Sequence, residues 1–268
     1  MINFFNFLYV MLIALIISPI YTIFDFSIRT KKEFVRKYVS GIYQNTGIKI
    51  YRASEQDIVY KKNIIYLSNH RTFSDFYVDH IVTHYSSFFV SRYLIAFIIP
   101  MTYLIGVIGN SIFFFKRGQT NITDFENMVK NAQNNNTGNY IMVYPEGTRR
   151  YGKNTACNLK KGLIYYSFKN NCPIQFIITY GKDESINEKK LSSMKCDAFV
   201  FYSQVYEPNE NFKNIENWYQ YINEEWKKEF NKIYSKNYSI NDIICEIDSE
   251  YIHDNNYPIW YNSEKKVK

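Results

Sequence analysis

The sequence has few cysteines, and their arrangement does not suggest cross-links or a metal site. The four cysteines lie far apart, without a Cys-x-x-Cys pair or clustered histidines, at Cys157, Cys172, Cys196 and Cys245. The sequence therefore indicates neither a disulfide framework nor a zinc site, and a reducing compartment is the simpler interpretation.

Further absences narrow the class of protein. No internal repeat is visible, and the basic residues are scattered without a nucleic-acid-binding motif, so we expect no nucleic-acid partner. His80 and His84 stand one helical turn apart, but the His-Glu-x-x-His pattern is absent and no third ligand has a suitable spacing. We therefore predict no metal, and we expect both histidines to be satisfied core or surface residues.

The length limits the number of domains, and the net charge limits the class of partner. A chain of 268 residues forms one sizeable α/β domain, or such a domain with a small appendage. The formal net charge of +7 suggests an anionic partner, such as nucleic acid, a phospholipid surface or a phosphorylated small substrate. Charge alone does not choose among these partners.

The segment from Phe4 to Phe24 contains no charged residue. A helix of this length, at about 1.5 Å per residue, crosses the roughly 30 Å hydrocarbon core of a bilayer. A cleaved signal peptide is the alternative, but no basic region precedes the segment and no small-x-small cleavage site follows it. We therefore predict an uncleaved, single-pass membrane anchor. The positive-inside tendency then puts the domain behind this anchor on the cytosolic side, because basic residues follow at once: Arg29, Lys31, Lys32, Arg36 and Lys37.

The first candidate catalytic residues follow a short apolar run, Asn63 to Ser68, that is typical of a buried strand. This strand delivers His70 to its exit, where a scaffold commonly presents reactive groups. Asp75 lies five residues on and folds back to the histidine ring if the intervening segment begins a helix. The pair is a candidate general base with its orienting acid.

A second charge-free stretch runs from Tyr93 to Phe115 and would pass as another transmembrane helix if taken alone. Breaks at Pro100, Gly106 and Gly109 argue against that interpretation, and its end at Ile112 to Phe115 is typical of a buried strand. Whether part of the stretch enters the membrane stays open.

The second candidate site follows a strand at Tyr140 to Tyr144, in the run Pro145-Glu146-Gly147-Thr148-Arg149. Gly147 frees the backbone to approach a ligand closely. Arg149 supplies a planar fork of donors that suits a phosphate.

These blocks, in this order, resemble those of the glycerolipid acyltransferase family, which includes lysophosphatidic acid acyltransferase. Asn69-His70-x4-Asp75 and Pro145 to Arg149 match the family motifs residue for residue. Gly109 to Arg117 resembles the Gly-apolar-acidic-Arg block with two extra residues and a lysine in the acidic place. A fourth block keeps Pro173 and Ile174 but has Phe176 where the family has a second proline. The resemblance covers roughly residues 60 to 180.

The resemblance implies an α/β fold, with a single mixed-sheet acyltransferase domain, flanking helices and the N-terminal transmembrane helix before it. We expect an anchor and basic linker helix over residues 1–46, the catalytic domain over 47–207, and an amphipathic helix and tail over 208–268. Within the last segment, Ile215, Trp218, Ile222, Trp226 and Phe230 have helical spacing, which predicts a helix docked against the domain.

The resemblance also implies the activity: transfer of a fatty acyl group from acyl-CoA to the free hydroxyl of a lysophospholipid at a membrane. His70 would be the base and Asp75 its partner. The substrate-binding residues carried over are Arg117, Glu146, Gly147, Thr148 and Arg149. Acyl-CoA is a co-substrate, and no bound cofactor is expected. The default acceptor is 1-acylglycerol 3-phosphate, in the endoplasmic reticulum if the cell is eukaryotic.

Several alternatives stay open on sequence alone. Glycerol 3-phosphate, lysophosphatidylinositol and lysocardiolipin are alternative acceptors. A transacylase, which takes its acyl group from a phospholipid instead of acyl-CoA, is an alternative activity. A non-catalytic, membrane-anchored lipid-binding protein is the alternative of a different class. Acyl-chain preference, oligomeric state and the particular membrane are not determined by the sequence.

Overall fold

A computed structural model describes residues 2–25, 27–28, 30–93, 95, 103, 106, 112–115, 123–124, 126–127 and 140–250. Arg117 and most of the segment Tyr93 to Phe115 lie outside these described residues.

The described residues build one eight-stranded sheet with the strand order β4-β3-β5-β2-β6-β7-β1-β8. The strands are β1 (Lys49–Arg52), β2 (Ile65–Ser68), β3 (Ser87–Arg92), β4 (Ile112–Phe115), β5 (Tyr140–Val143), β6 (Ile174–Tyr180), β7 (Asp197–Tyr206) and β8 (Cys245–Glu246). Neighbours from β4 to β6 are parallel, whereas β6 and β7 are antiparallel. The predicted mixed sheet is therefore confirmed.

Five helices of eight residues or more lie within the described part of the chain. They are α1 (Ile2–Ile23), α2 (Lys31–Thr46), α3 (Ser74–Val82), α4 (Lys161–Lys169) and α5 (Ile215–Tyr234). Thr30 and Glu33 form a capping box that starts α2, and Gly47, with a φ of 66°, ends it.

The N-terminal helix α1 packs one side against α2. Phe7 and Val10 are buried in this contact, Ser18 Oγ donates to the Tyr38 carbonyl at 2.7 Å, and Tyr38 Oη donates to the Ala14 carbonyl at 3.1 Å. Its other side exposes large apolar side chains, among them Phe5 and Tyr21. By length and composition α1 is a candidate transmembrane anchor, and one third of its most apolar window is buried against the domain.

The two faces of the sheet carry separate apolar cores. One core joins α1, α2 and α3 to the sheet, and the other joins α4 and α5. In the second core, Trp218, Ile222, Trp226 and Phe230 of α5 have no exposed surface, so the predicted docking helix is confirmed.

The sequence predicts a helix over residues 75 to 86, and the structure ends that helix earlier and follows it with a strand. The helix α3 ends at Val82, because His84 and Tyr85 adopt left-handed backbone angles, with φ values of 48° and 56°. The next residues form β3, a strand that the sequence did not predict. Ser87 to Arg92 contains only three consecutive apolar residues, Phe88 to Val90, and so short a run carries no periodicity that separates strand from helix.

Candidate active site

His70 lies just beyond the end of β2, beside the exit of the parallel strand β5. Because parallel strands end at the same edge of a sheet, the loops after β2 and β5 meet there. The His70 backbone N–H donates to Glu146 Oε2 at 2.9 Å, and the Arg150 N–H donates to the His70 carbonyl at 2.7 Å. Hydrogen bonds at both backbone groups of His70, its N–H and its carbonyl, thus join the two motif loops.

The contact expected between His70 and Asp75 is present. His70 Nδ1 lies 2.6 Å from Asp75 Oδ2, and the same oxygen accepts the Arg71 backbone N–H at 2.6 Å. Because α3 begins at Ser74, Asp75 stands in its first turn and faces back to the ring. A carboxylate at Nδ1 selects the tautomer with its proton there, which leaves Nε2 as the basic nitrogen.

The plane of the His70 ring is fixed by Tyr144, the residue between β5 and the Pro145 turn. The two rings stack with centroids 4.3 Å apart and planes 11° from parallel. About a quarter of the His70 side chain remains exposed, whereas Asp75 is 2% exposed. The base is therefore accessible and its partner is buried.

Burial and neighbouring charges act in opposite directions on Asp75. Burial raises the pKa of Asp75. The Lys182 ammonium and the hydrogen bonds from His70 and Arg71 lower it by more than burial raises it, so the pKa of Asp75 lies below its ordinary value. Lys182 Nζ stands 3.2 Å from Asp75 Oδ1. Asp75 is consequently an anion at neutral pH.

A cavity of about 850 Å³ opens beside this pair. Its apolar walls include Met11 and Leu15 of α1, Ile42 of α2 and Phe89 of β3. Its polar lining includes His70, Asp75, Arg92, Arg149 and Lys160. The reactive nitrogen, a long apolar wall and a cluster of cations therefore share one space.

Comparison with known proteins shows which family has this arrangement of residues. Residues 49–178 match the family model Acyltransferase. Residues 49–178 belong to the acyltransferase family. The family makes the protein an enzyme of acyl transfer, in agreement with the resemblance seen in the motifs.

The fold of this acyltransferase is also that of a solved structure. The 1-acyl-sn-glycerophosphate (LPA) acyltransferase PlsC from Thermotoga maritima matches with a TM-score of 0.66 at 16% identity, over 88% of this chain and 96% of that one. At this identity the likeness concerns the fold. A search of curated protein sequences gave no match.

Glu146 of the acyltransferase is a buried partner of the His70 backbone. Glu146 is 4% exposed, and its Oε2 holds the His70 backbone N–H. Burial raises the pKa of Glu146, and the hydrogen bond from His70 opposes that rise. Gly147 follows with a φ of 73°, a left-handed conformation that favours glycine. A side chain at Gly147 would approach Lys160 to 3.2 Å, so glycine leaves this part of the cavity open.

Arg149 faces the cavity but has an acidic partner that the sequence did not reveal. Its guanidinium lies 2.6 Å from Glu188 Oε1 and stacks over the Phe73 ring at 4.5 Å. Glu188 Oε2 also accepts the Phe73 N–H at 3.2 Å. Arg149 is therefore held in place at the cavity, with its charge compensated by Glu188. Thr148, next to it, is exposed.

Arg92 is a candidate substrate-binding residue that sequence reasoning missed. It ends β3, lines the cavity, and donates to the Gly147 carbonyl at 3.2 Å. An arginine at the end of an apolar run resembles many surface arginines in sequence. Only the pairing of β3 with β5 brings Arg92 to the same edge as Arg149.

The connection between β6 and β7, residues 181–196, supplies a counter-charge to three residues of the motif loops. Lys182 pairs with Asp75, Asp183 pairs with Arg71, and Glu188 pairs with Arg149. Arg71 is 1% exposed, and its Nε and Nη2 atoms lie 2.8 and 2.7 Å from the Asp183 carboxylate. We call this segment the β6–β7 connection.

Proposed function

We propose that the protein transfers a fatty acyl group from acyl-CoA to the free hydroxyl of a lysophospholipid, with 1-acylglycerol 3-phosphate as acceptor and phosphatidic acid as product. The observation that carries the proposal is the shared cavity, in which the His70–Asp75 pair lies between apolar walls and the cations Arg92 and Arg149. Acyl chains require the apolar walls, and a phosphomonoester requires the cations.

The chemistry follows from the protonation of the pair. A glycerol hydroxyl is a weak nucleophile, and His70 Nε2 takes its proton as the oxygen attacks the thioester carbonyl. Asp75 stabilises the imidazolium through Nδ1. Collapse of the tetrahedral intermediate breaks the C–S bond, and the imidazolium proton passes to the departing CoA thiolate. The acceptor brings its own hydroxyl, so no covalent acyl-enzyme is formed.

The acceptor is fixed at its phosphate end. Arg149, stacked on Phe73, presents a preformed fork of donors, and Arg92 adds a second guanidinium from the neighbouring strand. Binding there holds the glycerol hydroxyl near Nε2 and converts the attack into an intramolecular event within the complex. Arg117 is proposed as a further contact from the motif alone.

The membrane is the proposed source of the acceptor. The exposed side of α1 presents large apolar side chains, and its buried side lines the cavity through Met11, Ala14 and Leu15. We propose that α1 is the membrane anchor and that the catalytic domain lies on the cytosolic side. One helix then both contacts lipid and forms a wall of the site.

The direct test is an acyl-transfer assay with detergent-solubilised protein and labelled acyl-CoA. The acceptor panel contains 1-acylglycerol 3-phosphate, lysophosphatidylinositol, lysocardiolipin and glycerol 3-phosphate. We expect labelled phosphatidic acid as the main product. A different acceptor would correct the substrate, and transfer only from a phospholipid donor would show a transacylase. No transfer from either donor would contradict the enzymatic proposal.

Replacing Arg149 by alanine is expected to raise the KM for 1-acylglycerol 3-phosphate by about 10- to 100-fold, because charge-assisted hydrogen bonds to the phosphate are lost. The KM for acyl-CoA should change little. Initial rates with each substrate varied in turn separate the two constants.

The matched control is Arg150→Ala, which removes the same charge one residue further along. Arg150 donates from Nη2 to the Thr155 carbonyl at 3.1 Å and is not among the residues that line the cavity. We expect this variant to keep the acceptor KM of the wild type. An effect of Arg149→Ala confined to the acyl donor would refute the phosphate role.

A further inference from the structure

Lys182 is a fully buried lysine at the rear of the catalytic pair. Its side chain is 0% exposed, and Nζ lies 3.2 Å from Asp75 Oδ1 and 3.3 and 3.4 Å from the two oxygens of Asp79. A buried ammonium is costly unless it is paired, so these two carboxylates account for its presence.

The backbone directs Lys182 inward by specific local contacts. Gly181 precedes it with a φ of 85°, and a side chain at Gly181 would collide with the Asp197 carbonyl. The Lys182 carbonyl accepts Ser74 Oγ at 2.7 Å, which ties the β6–β7 connection to the first turn of α3. The lysine thus reaches Asp75 from a fixed point.

The two carboxylate oxygens of Asp75 have different partners. Oδ2 accepts His70 Nδ1–H and the Arg71 N–H, whereas Oδ1 is compensated by the ammonium. Oδ1 accepts no hydrogen bond from the described residues, so the ion pair with Lys182 is what compensates it. A carboxylate with one uncompensated buried oxygen is poorly held and tends to take up a proton.

Asp79 gives the cluster more acidic than basic groups, because two carboxylates share one ammonium. Asp79 Oδ2 also accepts Ser68 Oγ at 3.0 Å. Burial raises the pKa of Asp79 to about 6, with Lys182 lowering it and Asp75 raising it. With His70 neutral, the cluster of Lys182, Asp75 and ionised Asp79 carries one net negative charge, which proton uptake by His70 neutralises.

Other polar groups also face this cluster. The Tyr144, Tyr77 and Tyr234 hydroxyls act on one or both of the carboxylates, and Arg71, Asp183 and Glu146 lie on the adjoining loops. Arg71 is already paired with Asp183, so Lys182 is the described cation that contacts Asp75 by its side chain.

We propose that Lys182 is a positioning residue for acyl transfer, which keeps Asp75 ionised and turned toward His70, and that Asp79 shares and moderates its charge. The inference rests on the proposed function through the role of His70. Lys182 acts through Asp75 and does not touch the substrate.

The test compares wild type with Lys182→Met, Asp79→Asn and the double variant. In Lys182→Met, two buried carboxylates face each other without a cation and hold a proton to higher pH. We expect kcat to fall about 10- to 100-fold near neutral pH, with both KM values within about threefold of wild type. The acid limb of the kcat profile should move up by about one pH unit.

Adding Asp79→Asn to Lys182→Met removes the second carboxylate. We expect the acid limb of the double variant to return toward the wild-type position and kcat to recover at least several-fold over Lys182→Met. A purely structural role predicts equal losses at every pH and no rescue. That result, or wild-type kinetics in Lys182→Met, would overturn the proposal.

A second readout does not depend on catalysis and serves if Lys182→Met fails to fold. The free energy of unfolding is measured near pH 8 and near pH 5 for Asp79→Asn and for the double variant. With the ammonium present, the lowered pKa of Asp75 keeps its contribution to stability down to more acidic pH. Without the ammonium, burial raises that pKa above its value in the unfolded chain, so the folded state takes up the proton more readily than the unfolded chain does. The double variant should therefore gain stability relative to Asp79→Asn when the pH falls from 8 to 5.

These measurements separate failure of the inference from failure of the proposed function. Absence of acyl transfer by wild type would contradict the function, and the unfolding comparison would still test Lys182. An equal change of stability in the two variants between pH 8 and pH 5 would contradict the role of Lys182 whatever reaction the protein catalyses.

Discussion

Replacing His70 by alanine is expected to lower kcat for acyl transfer by about 10²- to 10⁴-fold, the usual contribution of a positioned general base. The nitrogen that receives the proton disappears, while the cavity walls and Arg149 remain. Substrate binding should therefore survive, with KM values close to those of wild type. The measurement is steady-state acyl transfer with saturating acyl-CoA and acceptor.

Asp75→Asn provides a graded companion to this variant. The amide keeps the size of the carboxylate, but it carries no charge to stabilise the imidazolium and can present its NH₂ group to Nδ1. Activity should fall markedly and remain above that of His70→Ala. A variant of His70 with full activity would end the proposed mechanism, because no other described residue combines a basic nitrogen with access to the cavity and a buried carboxylate partner.

His84→Asn is the matched control, since it removes another imidazole of the same chain. His84 has a left-handed φ of 48°, which asparagine tolerates well, and it does not line the cavity. We expect near-wild-type kcat from this variant. Comparable loss in His84→Asn would show that the His70 result reflects damage to the fold.

Replacing Trp226 by alanine is expected to have the largest effect on stability, about 3 to 5 kcal/mol in the free energy of unfolding. Trp226 has no exposed surface, and its ring meets Phe176 edge-on with centroids 5.4 Å apart. The substitution leaves a large cavity between α5 and the sheet. Urea unfolding followed by circular dichroism measures the loss.

Activity should fall with this stability, because α5 also reaches the catalytic loop. At its end, Tyr234 Oη accepts Asn69 Nδ2–H at 2.9 Å and lies 3.1 Å from the Thr179 carbonyl. Loosening α5 therefore loosens the residue before His70. Glu224→Ala, at an exposed position of the same helix, should change the unfolding free energy by only about 0.5 kcal/mol or less. Equal effects of the two variants would contradict the docking role of Trp226.

The local parts of the site could be predicted from the sequence. A strand followed by a helix start determines the distance from His70 to Asp75, because both elements are short and adjacent in the chain. The strand ending at Val143 likewise predicts where Glu146 and Arg149 emerge. Periodicity and motif spacing report such short-range geometry well.

The counter-charges could not be predicted in this way. Lys182, Asp183 and Glu188 lie far along the chain from the residues that they contact, and each resembles an ordinary surface charge in sequence. Only the strand order brings the β6–β7 connection to the same edge as His70. Arg92 escaped notice for a related reason, since the strand that carries it has no distinctive pattern.

The structure explains why Phe176 departs from the family motif. It stands where the family has a second proline, and its side chain is fully buried between Tyr206 and Trp226, with ring centroids 4.7 and 5.4 Å away. Its backbone N–H also donates to Ser203 Oγ at 2.9 Å, a bond that proline cannot make. The substitution therefore serves the packing of α5.

The β6–β7 connection has a consequence for the order of events during biosynthesis. His70 and Asp75 leave the ribosome long before Lys182 and Glu188, so the early chain carries its catalytic loop without the charges that hold it. Contacts between residues so distant in sequence form late in folding. The nascent enzyme should therefore be inactive, and gain activity only when the second half of its sheet has paired with the first.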